Sequence, residues 1–311
     1  MKLSLRKLLT PTIAALSLMA LVGCGNDASP DSVRIGATFY GLQNEFTMRM
    51  DEAGREWAEA NNINYTAFDG NYSAATQMEQ FETMISQGFD AIVFNPQDIV
   101  AGAAAVERAH EAGIPVIGVN TMVQSDLIAS YVGSLDVTAG EAIMRFMVDH
   151  VGREDFNIVI IEGPMGQSAQ LQRMEGIQNA LQDFPNINVL AYNTANWSRL
   201  EAMDLMETWL VAFPGQIDAI IAQNDEMALG ARAAIEAAGL DIPAIGVDGI
   251  HDAIVAVGEG RLVASYFQNA EMQMIRSLEI AVMAANGEEV EPFYWIPFEM
   301  ITIENYRDFL E

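Results

Sequence analysis

The sequence predicts an α/β fold built as two doubly wound parallel-sheet lobes, and three observations lead there. Short apolar runs that stop at polar turns alternate with helix-forming stretches through short loops, which is the pattern of βαβ units. The alternation restarts midway along the chain. Roughly 280 of the 311 residues lie in the patterned part, more than a single hydrophobic core usually holds.

The first half opens with VRIGATF (33–39), read as a strand, then a polar turn at 41–44 and a helix over 45–61. A strand over 63–68 and a helix over 74–87 follow, the helix closed by Gly88. Residues 91–94 form a buried strand ending at Asn95 and Pro96. A helix over 101–112 is closed by Gly113, and strands follow over 115–119 and 127–132. After a helix over 138–151 the pattern begins again: strand 157–162, helix 169–182, strand 189–194, helix 199–213. The clearest unit is DAIIAQNDEMALG (218–230), where the apolar run 219–222 stops at Gln223, Asn224 and Asp225 and a helix continues to Gly239. Such a turn lies at the carboxyl end of a strand, where open α/β sheets bind ligands. Asn and Asp are equally good helix N-caps, so from this stretch alone capping and ligand contact stay open. Strands over 244–247 and 262–267 flank the turn Asp248-Gly249. A helix over 270–286 is closed by Gly287, and residues 292–303 are extended.

The amino-terminal end reads as separate from the fold. Lys2, Arg6 and Lys7 precede an apolar run over 13–22 and then Leu21-Val22-Gly23-Cys24, the layout of a signal peptide over 1–23. That run is shorter than the ~20 residues of a spanning helix. The segment resembles the lipobox of bacterial lipoproteins, which implies cleavage before Cys24 and lipid on it. Residues 24–32, polar and containing Pro30, then form a lipidated tether. Cys24 is the single cysteine, so no intrachain disulfide can form.

Charge excludes one class of partner. The chain carries a net charge of −28; losing a leader with three cations and no acid takes it to −31, and every cation left is arginine. Nucleic-acid binding requires cations to neutralise phosphates, and this balance argues against it. A hydrophobic content of 51% argues against disorder.

A search for catalytic chemistry finds none. His110, His150 and His251 lack metal-ligand spacing, and there is no phosphate loop, nucleophile elbow or dinucleotide fingerprint. No cofactor, metal or catalytic residue is expected. What the strand ends share is hydrogen-bonding side chains: Asn44, Asn95, Asn120, Asn224, Asp225 and Asp248, with Phe39, Tyr40, Phe46 and Trp197 at comparable turns. Amides and carboxylates meet vicinal hydroxyls, and flat rings cover a C–H face, so the set suits a polyhydroxylated ligand. Asn at strand ends is also ordinary turn chemistry; repetition in both halves favours binding.

IIAQNDEMALGA (220–231), VFNPQD (93–98), GIPVIGVN (113–120), QRMEGI (172–177) and AIGVDG (244–249) together resemble the periplasmic binding proteins of the ribose- and galactose-binding type. The resemblance covers nearly all of 33–301. It implies two α/β lobes joined by three crossovers, near 134–136, 267–269 and 297–299, closing on a hinge around a monosaccharide or cyclic polyol. The lobes would comprise 33–134 plus 269–297 and 135–268 plus 298–311. Phe46 and Trp197 would stack on the two ring faces, and Arg173 would donate a bidentate pair to hydroxyls. Asn224, Asp248 and Gln268 would bind from the second lobe and hinge; Asn44, Asn95, Asn120 and Ser134 from the first lobe or crossover. Asp225 would be left as the helix cap. An ABC permease and ATPase are the implied membrane partners, with a chemoreceptor as a further one; contact with the membrane itself would be through the lipid alone, and the receptor would be a monomer. The chain departs from the ribose pattern at Asn120-Thr121, where that pattern has Asp-Arg, at Val247, where an aromatic is usual, and at Thr47, where a second Phe is usual. Another pentose, a hexose or inositol fits as well as ribose. A receptor for a signal molecule or nucleoside is the rival within the binding class. A transcriptional sensor is opposed by the lipobox, and an enzyme by the missing motifs.

Overall fold

A computed structural model describes residues 32–310. The expected leader, Cys24 and nearly all of the tether lie outside these residues.

The first sheet takes its strands from β1 (Arg34–Phe39), β2 (Asn64–Asp69), β3 (Ala91–Phe94), β4 (Val116–Val119) and β5 (Ser130–Gly133), with α1 (Glu45–Ala60), α2 (Ala74–Ser86) and α3 (Gly102–Glu111) between them. The second comes from β6 (Asn157–Glu162), β7 (Asn188–Thr194), β8 (Ala219–Ala222), β9 (Ala244–Asp248) and β10 (Ala264–Gln268). Its helices are α4 (Asp136–Val151), α5 (Ser168–Leu181), α6 (Arg199–Ala212), α7 (Asp225–Ala237) and α8 (His251–Gly258). The chain then returns: α9 (Ala270–Ala285) packs on α1 and the first sheet, and β11 (Phe293–Trp295) joins that sheet. β12 (Phe298–Ile301) joins the second.

The strand orders are β11-β5-β4-β3-β1-β2 and β12-β10-β9-β8-β6-β7, two copies of one doubly wound topology. All pairings are parallel except β10 with β12. The chain passes between sheets three times, at Ser134-Leu135, at Asn269 and at Ile296-Pro297. The central strands β3, β4, β8 and β9 are buried along their whole length, because helices cover both faces of each sheet.

Local chemistry fixes most helix starts. Asn44, Ser73, Ser198, Asn224 and Asn269 each accept an N–H from the first turn of α1, α2, α6, α7 and α9. Close helix approach depends on missing side chains. A Cβ on Gly140 of α4 would collide with the Arg173 carbonyl of α5, and one on Gly176 with the Val137 carbonyl.

Three expectations change. Residues 251–258, to which the sequence reading assigns no element, form α8. The extension over 292–303 is broken at Ile296-Pro297 into two strands that serve different sheets. The helix after the first crossover begins at Asp136, not 138; its N-cap position, Leu135, has no capping side chain and left no signal.

Candidate functional site

The carboxyl ends of both sheets face one narrow, partly open cavity between the lobes. Tyr40, Phe46, Asn120 and Thr121 line it from the first lobe, and Gln167, Ala169, Arg173, Trp197, Asn224, Asp248 and Gln268 from the second. Every one sits at a strand end or in the first turn or two of the following helix.

Arg173, two turns into α5 and only 2% exposed, is the electrostatic centre. Its Nε donates to Asp136 Oδ1 at 2.8 Å and its Nη1 to the Gln223 carbonyl at 2.6 Å, with Asp248 Oδ1 3.8 Å away. Burial alone would depress the guanidinium, but Asp136 and Asp248 more than offset it, so it stays charged. Burial pushes the Asp248 carboxyl well above the usual carboxylate range; Arg173 offsets this only in part, and buried Asp225 adds to it. Asp136 is likewise raised by burial.

Trp197, 4% exposed, donates its indole N–H to Gln167 Oε1 at 2.6 Å. Its ring lies over Gly163, where any side chain would collide with it, and 5.6 Å from the Arg173 guanidinium. Tyr40 accepts from Asn44 Nδ2 at 3.2 Å, and burial raises its phenol, keeping it neutral. Gln268 links the lobes: its Nε2 donates to Asp248 Oδ1 at 2.6 Å and its Oε1 accepts from Asn120 at 3.2 Å. Three lining residues, Asn120, Trp197 and Asp248, have φ of 60°, 59° and 129°. Backbone strain of this kind at bulky residues gathers at ligand clamps.

Of the ten expected ligand residues, seven line the cavity: Phe46, Asn120, Arg173, Trp197, Asn224, Asp248 and Gln268. Asn44 lies just outside, on the outer cleft, as the cap of α1. Asn95 sits behind the wall, donating to Val119 and Thr121 and holding the Asn120-Thr121 turn. Ser134 accepts from Gln273, whose Oε1 in turn accepts from Asn120. The division expected at Asn224 and Asp225 is corrected. Asn224 is the cap, accepting from the Met227 amide at 3.0 Å, and it lines the cavity as well. Asp225 is the first helical residue and its carboxylate points at the β9–α8 turn. Sequence reading missed Thr121, Gln167 and Ala169 and left Tyr40 unassigned. Gln167 carried a faint signal: it occupies the N-cap position of α5 without capping it.

Among the described residues no helix is long and apolar enough to cross a membrane, and no group of three potential metal ligands occurs.

A family profile described as periplasmic binding protein domain matches residues 35–289. The chain is 36% identical over 300 residues to a xylitol-binding protein of Mycolicibacterium smegmatis, covering 93% of this chain and 85% of that one. It is 29% identical over 300 residues to a ribose import binding protein of Bacillus subtilis, covering 93% and 97%. Among solved structures, an ABC transporter solute-binding protein from Bacillus halodurans with bound myo-inositol superposes with a TM-score of 0.86 at 34% identity, covering 92% of this chain and 99% of that one.

Proposed function

This chain belongs to the periplasmic binding protein family, a family of solute receptors rather than enzymes, and from that premise we propose what it binds and how. It is the extracytoplasmic substrate-binding protein of an ABC importer. It closes its two lobes on a neutral monosaccharide or polyol, and the ligand is handed to a membrane permease and its ATPase. The lipid on Cys24 would hold it at the membrane.

The observation that carries this reading is the lining of the cavity. Its only charged side chains are Arg173 and Asp248, of opposite sign and 3.8 Å apart. Arg173 is already committed to Asp136 and to the Gln223 carbonyl. Its charge is balanced by Asp136 and Asp248, so the cleft offers no uncompensated cation to a carboxylate or phosphate on the ligand. The first lobe contributes a phenol, a phenyl ring, an amide and a hydroxyl and no charge, where the ribose pattern has a charged pair. The lining combines the rings of Phe46 and Trp197 with amides and hydroxyls that both donate and accept, as vicinal hydroxyl groups require. The names of the relatives, xylitol and ribose receptors and a receptor with bound myo-inositol, support the same class.

A thermal-shift screen tests it, because a ligand of the native state raises Tm by mass action. Xylitol, myo-inositol, pentoses and hexoses are compared with nucleosides, amino acids and sugar acids. At least one neutral polyhydroxylated compound should raise Tm by several degrees. A shift with a nucleoside or amino acid alone would rule the proposal out.

A further inference from the structure

Asp225 is wholly buried and yet does not line the cavity. Its carboxylate lies between the start of α7, the end of β9 and the middle of β10. One oxygen accepts from the Gly249 amide at 2.7 Å and from the Ile250 amide at 3.2 Å. The Ser265 hydroxyl, on β10, donates to the carboxylate at 2.7–2.8 Å and accepts from the Gly249 amide at 3.1 Å. The space for this group is made by a neighbouring glycine: a Cβ on Gly246 of β9 would fall on Asp225 Oδ1.

The two amides held are those directly after Asp248, a non-glycine residue at φ 129° followed by Gly249 at φ 71°. A residue in that conformation stays there only where its surroundings over-determine it. Relaxing Asp248 to an ordinary backbone region would swing the following peptides and strip both amides from a buried carboxylate, leaving donors and acceptor unpaired. The hydrogen bonds on one side of the turn therefore set the direction of the Asp248 carboxyl on the other. The next amide, His251, also goes to a carboxylate, that of Glu45 in the opposite lobe, at 2.7 Å.

We infer that Asp225 is the positioning residue of the binding site, fixing the Asp248–Gly249–Ile250 turn so that Asp248 faces the cavity. This rests on the proposal that Asp248 binds the ligand, and the experiment separates the two. The full chain is titrated with xylitol and with myo-inositol, following intrinsic tryptophan fluorescence, and Tm is recorded without ligand. The variants are D248A, D225A, D225N and S265A. D225N keeps an oxygen for the two amides, so it should stay within about tenfold of wild-type affinity, while D225A should lose about 100-fold or more. S265A, which removes one donor, should bind about five- to tenfold more weakly while melting within a few degrees of wild type. A residue that only stabilised the fold would lower Tm in D225A and D225N alike and leave affinity unmoved once folded. Wild-type affinity in folded D225A, with binding abolished in D248A, overturns the inference alone. If D225A does not fold, S265A decides, and wild-type affinity there overturns it. Wild-type affinity in D248A overturns the assignment of the ligand site and this inference with it.

Discussion

Asn224 shows how much one side chain is asked to do. Its oxygen caps α7 while the residue lines the cavity. Asn224→Ala is therefore expected to weaken ligand binding and to lower stability by about 1 kcal/mol, the usual cost of a lost cap; calorimetric titration and urea denaturation measure the two separately. Loss of affinity at unchanged stability would place the cap elsewhere. Asp225, beside it, has a pH signature. Burial pushes its carboxyl up to about 6, with the Ser265, Ile250 and Gly249 hydrogen bonds offsetting only part of that. A carboxyl raised above its unfolded value of about 3.9 keeps its proton in the native state between those values. Its contribution to stability then falls as pH rises from about 4 to about 6. Urea midpoints of wild type and D225N across that range should diverge, with wild type losing ground to the variant as pH rises; a constant difference would contradict it. The sequence showed that this turn mattered but not which residue took which task. Asn and Asp cap equally well, and the choice depends on where the strand ladder stops: Gln223, whose amide donates to Ile161, is its last member, so the helix starts at Asp225, one residue earlier than a cap at Asp225 would need. Tyr40, Thr121 and Gln167 were hard to see for a related reason. A side chain at a turn becomes a wall of the site only once two distant turns are brought face to face.

At the scale of elements, strands and helices with strong local signals were legible to within a residue or two, β6 and β8 among them. The α8 helix was not, since its N-cap position, Ile250, has no capping side chain. The missing acceptor comes from the other lobe, as Glu45 of α1 takes the His251 amide, and Arg49, one turn on, donates to the Gly249 carbonyl at 3.4 Å. A cap supplied from 206 residues away leaves no trace in a sequence window. Glu45→Ala should therefore weaken ligand retention by up to about tenfold, seen as faster dissociation in stopped-flow, while ligand-free Tm stays put. A fall in ligand-free Tm with unchanged dissociation would mean that the bond serves the fold and not closure. The α4–α5 contact makes a plainer prediction. Gly176→Ala forces backbones apart and should cost about 1–3 kcal/mol in urea denaturation, and near-neutral behaviour would contradict the contact.

For the whole molecule, the two sheets share one topology and the chain passes between them three times. Besides the Glu45 and Arg49 bonds to the β9–α8 turn, the lobes touch through a handful of hydrogen bonds between facing loops. The Ile99 amide donates to the Gly166 carbonyl at 3.0 Å, the Met122 amide to Ser168 at 2.6 Å, and Asn120 to Gln268 at 3.2 Å. Such sparse contact suits a hinge whose closed state is favoured by what lies inside it. The two-lobe plan was readable from alternation and length, and the crossover positions from the resemblance alone. The central claim is that the closed cleft takes a neutral polyhydroxylated molecule through Arg173 and Asp248. Isothermal titration of wild type and of D248A with the neutral polyol that raises Tm most, and of wild type with the matching sugar acid, tests it most directly. The account predicts saturable one-to-one binding of the neutral compound, at least about 100-fold loss in D248A, and at least about tenfold weaker binding of the acid. Equal affinity in D248A, or tighter binding of the acid, would contradict it.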